Sequence, residues 1–78
     1  MWECVVRRIE ELCAQRNISF RHLAYISGMS PSTITNILNG KSKNPGVVTI
    51  KKICDGLDIT FMDFFDTDYF RALEQEIY

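Results

Sequence analysis

The chain has 78 residues, 46% of them apolar and 24% charged, with a formal net charge of −1; that is the size and composition of one globular domain and not of a collagen-like or low-complexity polymer. No apolar run is long enough to span a bilayer, and Met1-Trp2-Glu3-Cys4 lacks the basic start and long apolar stretch of a secretory signal, so a cytoplasmic location is expected. Cys4, Cys13 and Cys54 are odd in number and contain no C-x-x-C pair, a poor disulfide framework and a poor metal site; they read as reduced, small apolar residues.

Helical punctuation divides the sequence into six segments. Val5, Ile9, Leu12 and Cys13 recur at i, i+4, i+7 and i+8, which predicts a first helix from about Trp2 to Arg16. Asn17 follows, a residue that tolerates the left-handed conformation at a helix end. Ser19 is an N-cap for a second helix that stops at Gly28. Ser30-Pro31 opens a third helix, since proline at the first helical position loses no needed N–H and already has a helical φ. This helix ends at Gly40 and is polar on one side: Ile34, Ile37 and Leu38 form an apolar face, leaving Ser32, Thr33, Thr35 and Asn36 opposite. These are weak helix formers, so local propensity does not explain their presence.

The loop Lys41-Ser42-Lys43-Asn44-Pro45-Gly46 is basic and rich in turn residues. A fourth helix is expected from Val47 to Gly56, with Ile50, Ile53, Cys54 and Leu57 as its buried stripe. Thr60 caps a short fifth helix over Phe61–Phe65, and Tyr69, Phe70, Leu73 and Ile77 predict a sixth, amphipathic one.

Charge is unevenly placed. Residues 1–52 carry eight basic side chains against three acidic, a net +5, and residues 53–78 carry one against seven, a net −6. No acidic residue lies from Leu12 to Cys54. One region is therefore suited to a polyanion and the other is not.

Residues 19–40 combine two short helices, a tight turn at Gly28-Met29-Ser30 and a second helix exposing short polar side chains. That is the layout of a helix-turn-helix unit, whose second helix can enter a major groove. Ala24 is small enough to let the helices approach, and Gly28 supplies the turn. Pro31, Ser32, Thr33 and Asn36 are the candidate base readers: Asn pairs with adenine N6 and N7, Ser and Thr bond several base edges, and Thr and Pro carbon suits the thymine methyl.

From Ile9 through Phe65 the chain resembles the Cro-repressor-like (XRE-type) helix-turn-helix family. The resemblance is carried by Ser19, Leu23-Ala24, Gly28-Met29-Ser30, Thr33-Ile34, Asn39-Gly40, Lys41, Asn44-Pro45, Thr49-Ile50, Ile53, Leu57 and Ile59. It implies an all-α, five-helix lambda-repressor-like DNA-binding domain, to which the sixth helix is an addition. It also implies double-stranded DNA as partner, homodimers on palindromic operators, and a bacterial or phage transcriptional regulator, with repression the expected mode. Two positions depart from the family pattern. Phe20 stands where Gln usually touches a phosphate, and Cys13 where Arg is frequent late in the first helix. Asn44 occupies a loop position that is often basic.

Phosphate contacts are assigned to Ser19 and Arg21 at the second helix's N-terminus, where backbone N–H groups favour anions, and to Asn39, Lys41, Lys43 and Asn44 around the following loop. Lys51 and Lys52 fall near the backbone by the resemblance or on a solvated face, while Arg7, Arg8 and His22 read as surface residues. The division expected is a helix-turn-helix domain over 1–66 and an amphipathic segment over 67–78; Phe65 at the end of the first and Tyr69, Phe70, Leu73 and Ile77 of the second are expected at a homodimer contact, or alternatively the last helix completes the chain's own core. No cofactor is expected. A lone His without nucleophile spacing, phosphate loop or metal cluster argues against an enzyme. The competing reading is an antitoxin-like or adaptor interaction module that retains the fold with weak or no DNA binding, which low net charge, Phe20 and Cys13 favour.

Overall fold

The computed structural model describes residues 2–41 and 45–76, with side chains through residue 73. They form six α-helices: α1 (Trp2–Arg16), α2 (Phe20–Ile26), α3 (Pro31–Leu38), α4 (Val47–Leu57), α5 (Phe61–Phe65) and α6 (Asp68–Glu76). The fold is all-helical. None of these helices is long and apolar enough to cross a membrane.

Helix ends follow from local chemistry. Ser19 accepts a hydrogen bond from His22 N at 3.0 Å and caps α2. Thr60 and Asp63 form a reciprocal capping box at the start of α5. At the other end, α1, α2 and α4 share one closure. Ile18, Met29 and Ile59 donate their N–H groups to the carbonyls of Cys13, Ala24 and Cys54 at 3.0, 2.9 and 2.9 Å. In each case the preceding residue, Asn17, Gly28 or Asp58, is left-handed, with φ of 55°, 70° and 57°. This double-bonded end satisfies the last carbonyls and turns the chain sharply.

The end of α4 corrects the sequence expectation. Gly56 does not stop the helix; it lies inside α4, which continues through Leu57, and Asp58 makes the left-handed turn. The glycine is required by packing. A Cβ at Gly56 would stand 2.6 Å from Ser27 Oγ and 2.9 Å from the Ile26 carbonyl oxygen, both at the end of α2. Backbone cannot withdraw as a flexible side chain can, so Gly56→Ala is expected to separate α2 from α4. The anticipated loss is about 1–3 kcal/mol by overpacking, read as a lowered midpoint in denaturant unfolding.

One core unites all six helices: Val5, Ile9, Leu12 and Cys13 from α1, Leu23 and Ala24 from α2, Ile34 and Ile37 from α3, Ile50, Ile53, Cys54 and Leu57 from α4, Phe64 from α5 and Phe70 from α6. Cys13 and Cys54 are reduced, and burial raises both thiol pKa values, which keeps them protonated and unreactive. Cys13 is a core residue, as its place in the apolar stripe of the first helix led one to expect.

The sixth helix folds onto this core. Phe70 is only 6% exposed and meets Phe65 edge-on at 4.9 Å between ring centroids, while Phe65 and Leu73 are half-buried beside it. Phe70, expected among the dimer residues, is thus withdrawn into its own chain, because an amphipathic stripe announces burial without naming its partner. Tyr69 donates its hydroxyl to Glu11 of α1 and lies under the Arg7 guanidinium, 4.4 Å from the ring centroid. Ile77 lies outside the described residues.

Arg8 also departs from its expected surface role. Its side chain is 14% exposed. Nε donates to the Phe64 carbonyl at 2.8 Å and a terminal guanidinium nitrogen donates to the Asp63 carbonyl at 2.7 Å. A cation at the C-terminal end of α5 satisfies carbonyls that the short helix leaves open.

Candidate nucleic-acid interface

The unit formed by α2 and α3 is built around the turn at Ser27–Ser30. Gly28 takes φ +70°, and Gly28 N and Met29 N bond back to Tyr25 and Ala24 carbonyls, so the chain reverses direction within a few residues. Ala24 is fully buried where α2 meets its neighbours. Helix α3 is then anchored from one side only. Ile34 and Ile37, each 1% exposed, hold it to the core. Pro31, Ser32, Thr35 and Asn36 are exposed, and Thr33 is half-buried. Three of the four expected base readers therefore stand fully outward on one helix, with Thr33 at the rim.

The polar groups of α3 are not equivalent. The Thr35 hydroxyl donates back to the Pro31 carbonyl at 3.0 Å, so it is occupied locally. The Asn36 amide makes no side-chain hydrogen bond among the described residues, leaving a donor and an acceptor available on one rigid group. Ser30, in the N-cap position, makes no side-chain cap bond; its hydroxyl contacts those of Ser32 and Thr33 at 3.0 and 3.1 Å.

The far end of α3 is held by a residue that sequence reasoning did not assign. The Trp2 indole Nε1 donates to the Ile37 carbonyl at 2.6 Å across 35 positions of sequence. One of the last carbonyls of α3 is thereby tied to the start of α1. No periodicity in the sequence points to this contact, since an aromatic residue in a first helical turn ordinarily reads as surface or core filler.

Electrostatics follow the uneven charge seen in the sequence. The first turns of α2, α3 and α4 contain no acidic residue, whereas those of α1, α5 and α6 carry Glu3, Asp63 and Asp68. The positive ends of these three helices therefore carry no compensating negative charge in their first turns. Arg21 and Lys41 are exposed and have no acidic partner among the described residues, as do Arg16 and Lys52. Lys51 differs, being paired with Asp55 at 2.5 Å. Ser19 is exposed at the head of α2, with its hydroxyl engaged as a cap. Asn39 ends α3 in a right-handed conformation before Gly40 at φ +80°. Lys43 and Asn44 lie outside the described residues. Phe20, at the first position of α2, is 38% exposed.

The sequence that builds this site resembles known proteins. Residues 8–68 match the Cro/C1-type HTH DNA-binding domain family. The chain belongs to that family. It is 32% identical over 72 residues to a Bacillus subtilis (strain 168) protein described as the uncharacterized HTH-type transcriptional regulator RghRB. The similarity covers 91% of this chain and 52% of the relative, so the chain spans about half the relative's length. No solved structure matches the chain. The matched region runs from within α1 to residue 68, where α6 begins.

Proposed function

We propose that this chain is a sequence-specific double-stranded DNA-binding regulator of transcription, acting as a repressor, with α3 lying in the major groove. The observation that carries the reading is the one-sided anchoring of α3: Ile34 and Ile37 are buried while Ser32 and Asn36 project outward with no acid in the first turn. A helix so held presents base-edge partners in a fixed register. Asn36 pairs with adenine, Ser32 and Thr33 read neighbouring edges, and Pro31 packs on a thymine methyl. Ser19, Arg21, Asn39 and Lys41 grip the flanking phosphates, joined by Lys43 and Asn44.

A single such unit makes few contacts, and two copies spaced one helical turn apart, roughly 34–36 Å, double them. We therefore propose a homodimer. Phe65 and Leu73 keep partial exposure and remain available for the contact, as do Phe61 and Met62 of α5, the latter 82% exposed.

The alternative, an interaction module with the same fold, is favoured by the exposed Phe20 at the head of α2. Fluorescence anisotropy on mixed-sequence duplex across a salt series separates the two. Each neutralised phosphate contributes about −0.9 to the slope of log K against log salt. Steep salt dependence supports the DNA-binding reading. Binding that is absent at low salt, or indifferent to salt, rejects it in favour of the interaction module. Sedimentation of the same sample gives the subunit count.

A further inference from the structure

We propose that Ser30 is a positioning residue that couples the base contacts of Ser32 and Thr33, allowing at most one of those two hydroxyls to donate to the duplex at a time. This rests on α3 being the DNA-reading helix. Ser30 does not act as an ordinary cap. The hydroxyls of Ser19 and Thr60 accept from the backbone N–H groups of His22 and Asp63. The Ser30 hydroxyl makes no such bond, although Ser30 has the same extended backbone, φ −74° and ψ 149°. The reason is local: the Thr33 N–H is already taken by Ser30's own carbonyl at 3.1 Å. The freed hydroxyl turns sideways, 3.0 Å from Ser32 Oγ and 3.1 Å from Thr33 Oγ1.

Proton counting then restricts the reading. A hydroxyl has one proton to donate and two lone pairs with which to accept. If Ser30 donates to Ser32, Thr33 must donate to Ser30, so Thr33 can only accept from a base while Ser32 keeps its proton for one. If Ser30 donates to Thr33, the roles exchange. If both neighbours donate to Ser30, both can only accept. The one arrangement excluded is two outward donors, because Ser30 would need two protons. Major-groove edges present acceptors at purine N7, guanine O6 and thymine O4, and donors at adenine N6 and cytosine N4. The base preferred opposite Ser32 thus depends on the base opposite Thr33. Thr35 stays outside the relay through its bond to the Pro31 carbonyl, and Asn36, with its own donor and acceptor, reads independently.

The test uses the full chain and the duplex it selects from random-sequence DNA. Ser32→Ala and Thr33→Ala locate the two base pairs whose discrimination each hydroxyl supplies. All base combinations at those two positions are then bound by the wild type, Ser30→Ala and Ser30→Thr. In the wild type, double base changes are expected to depart from the product of the single changes by about fivefold or more, the size of coupling seen between groups in one hydrogen-bond network. Ser30→Ala should bring them within about twofold of independence, and Ser30→Thr, which keeps the hydroxyl, should restore the coupling. Glycine is tolerated at N-caps, so Ser30→Gly gives the same readout if the alanine variant loses helix content. Independent positions in the wild type, or coupling that survives loss of the hydroxyl, overturns the relay alone. A wild-type chain that selects no duplex over random DNA overturns the DNA-reading role of α3 and the relay with it.

Discussion

Phe64→Ala is expected to lower the unfolding free energy by about 3–5 kcal/mol, the cost of a large cavity under an aromatic side chain. Phe64 is fully buried and sits among Phe65 and Phe70, with ring centroids 5.0 and 6.3 Å away. Small domains hold a modest reserve, at the low end of about 5–15 kcal/mol. At roughly 4–8 °C per kcal/mol for a chain of this length, most of the population should be unfolded at 37 °C. Circular dichroism on heating reads the result directly, and any DNA binding should vanish with the helical signal. Arg8→Met makes the informative contrast. It keeps the apolar stem and removes the two bonds to the Phe64 and Asp63 carbonyls, for an expected loss of about 1–3 kcal/mol as those acceptors go unsatisfied. A Phe64→Ala protein that melts within a few degrees of the wild type contradicts the view that α5 and α6 are held by one shared aromatic cluster.

The contrast between these positions marks how far the sequence alone could be read. Phe64 lies in a short apolar run after a Thr cap, so its helix is legible from the sequence, but nothing in the spacing separates it from Phe61 and Phe65, and only the fold shows that Phe64 alone of the three is fully buried. Helix starts at Ser19, Pro31 and Thr60 are equally plain, because caps act within one turn of chain. Gly56 is misleading, since a glycine near a helix end looks like a terminator, and only the placement of Ser27 Oγ and the Ile26 carbonyl, 2.6 and 2.9 Å from where a Cβ would stand, shows why no side chain fits. Arg8 and Trp2 are invisible for a related reason. Their partners lie 56, 55 and 35 positions away and are backbone carbonyls, which carry no residue-type signal. The outward face of α3 was readable because it violates helix propensity: Ser, Thr and Asn crowd a segment where packing does not call for them. The sideways contacts of Ser30 were not, since a serine before Pro31 is indistinguishable in sequence from a simple cap, and only the positions of three hydroxyls separate the two.

On DNA, Asn36→Ala is expected to cost about 1–3 kcal/mol on the selected site, a loss of roughly fivefold to more than a hundredfold, and to relax discrimination at one base pair. The magnitude follows from what is removed. Asn36 is exposed on the outer face of a helix whose inner face is fixed by Ile34 and Ile37, so the two-bond pairing proposed for it would need no prior ordering of the backbone. On that reading, deleting it would leave the adenine edge unpaired in the protein–DNA interface. On random DNA, where nothing meets that amide in a preferred geometry, the same change should be nearly silent. Lys41→Ala should behave in the opposite way. Lys41 is exposed with no acidic partner among the described residues and follows the α3 C-terminal turn. Its charge is read by phosphate, which is present on every sequence, so all duplexes should weaken together and the salt slope should flatten by about one unit. The signs of the two effects are set by different physics: a directional hydrogen bond depends on base identity, and counterion release does not. If Asn36→Ala weakened selected and random duplexes equally, α3 would be gripping the backbone and not reading bases, and its polar face would have to be reassigned as part of the phosphate clamp.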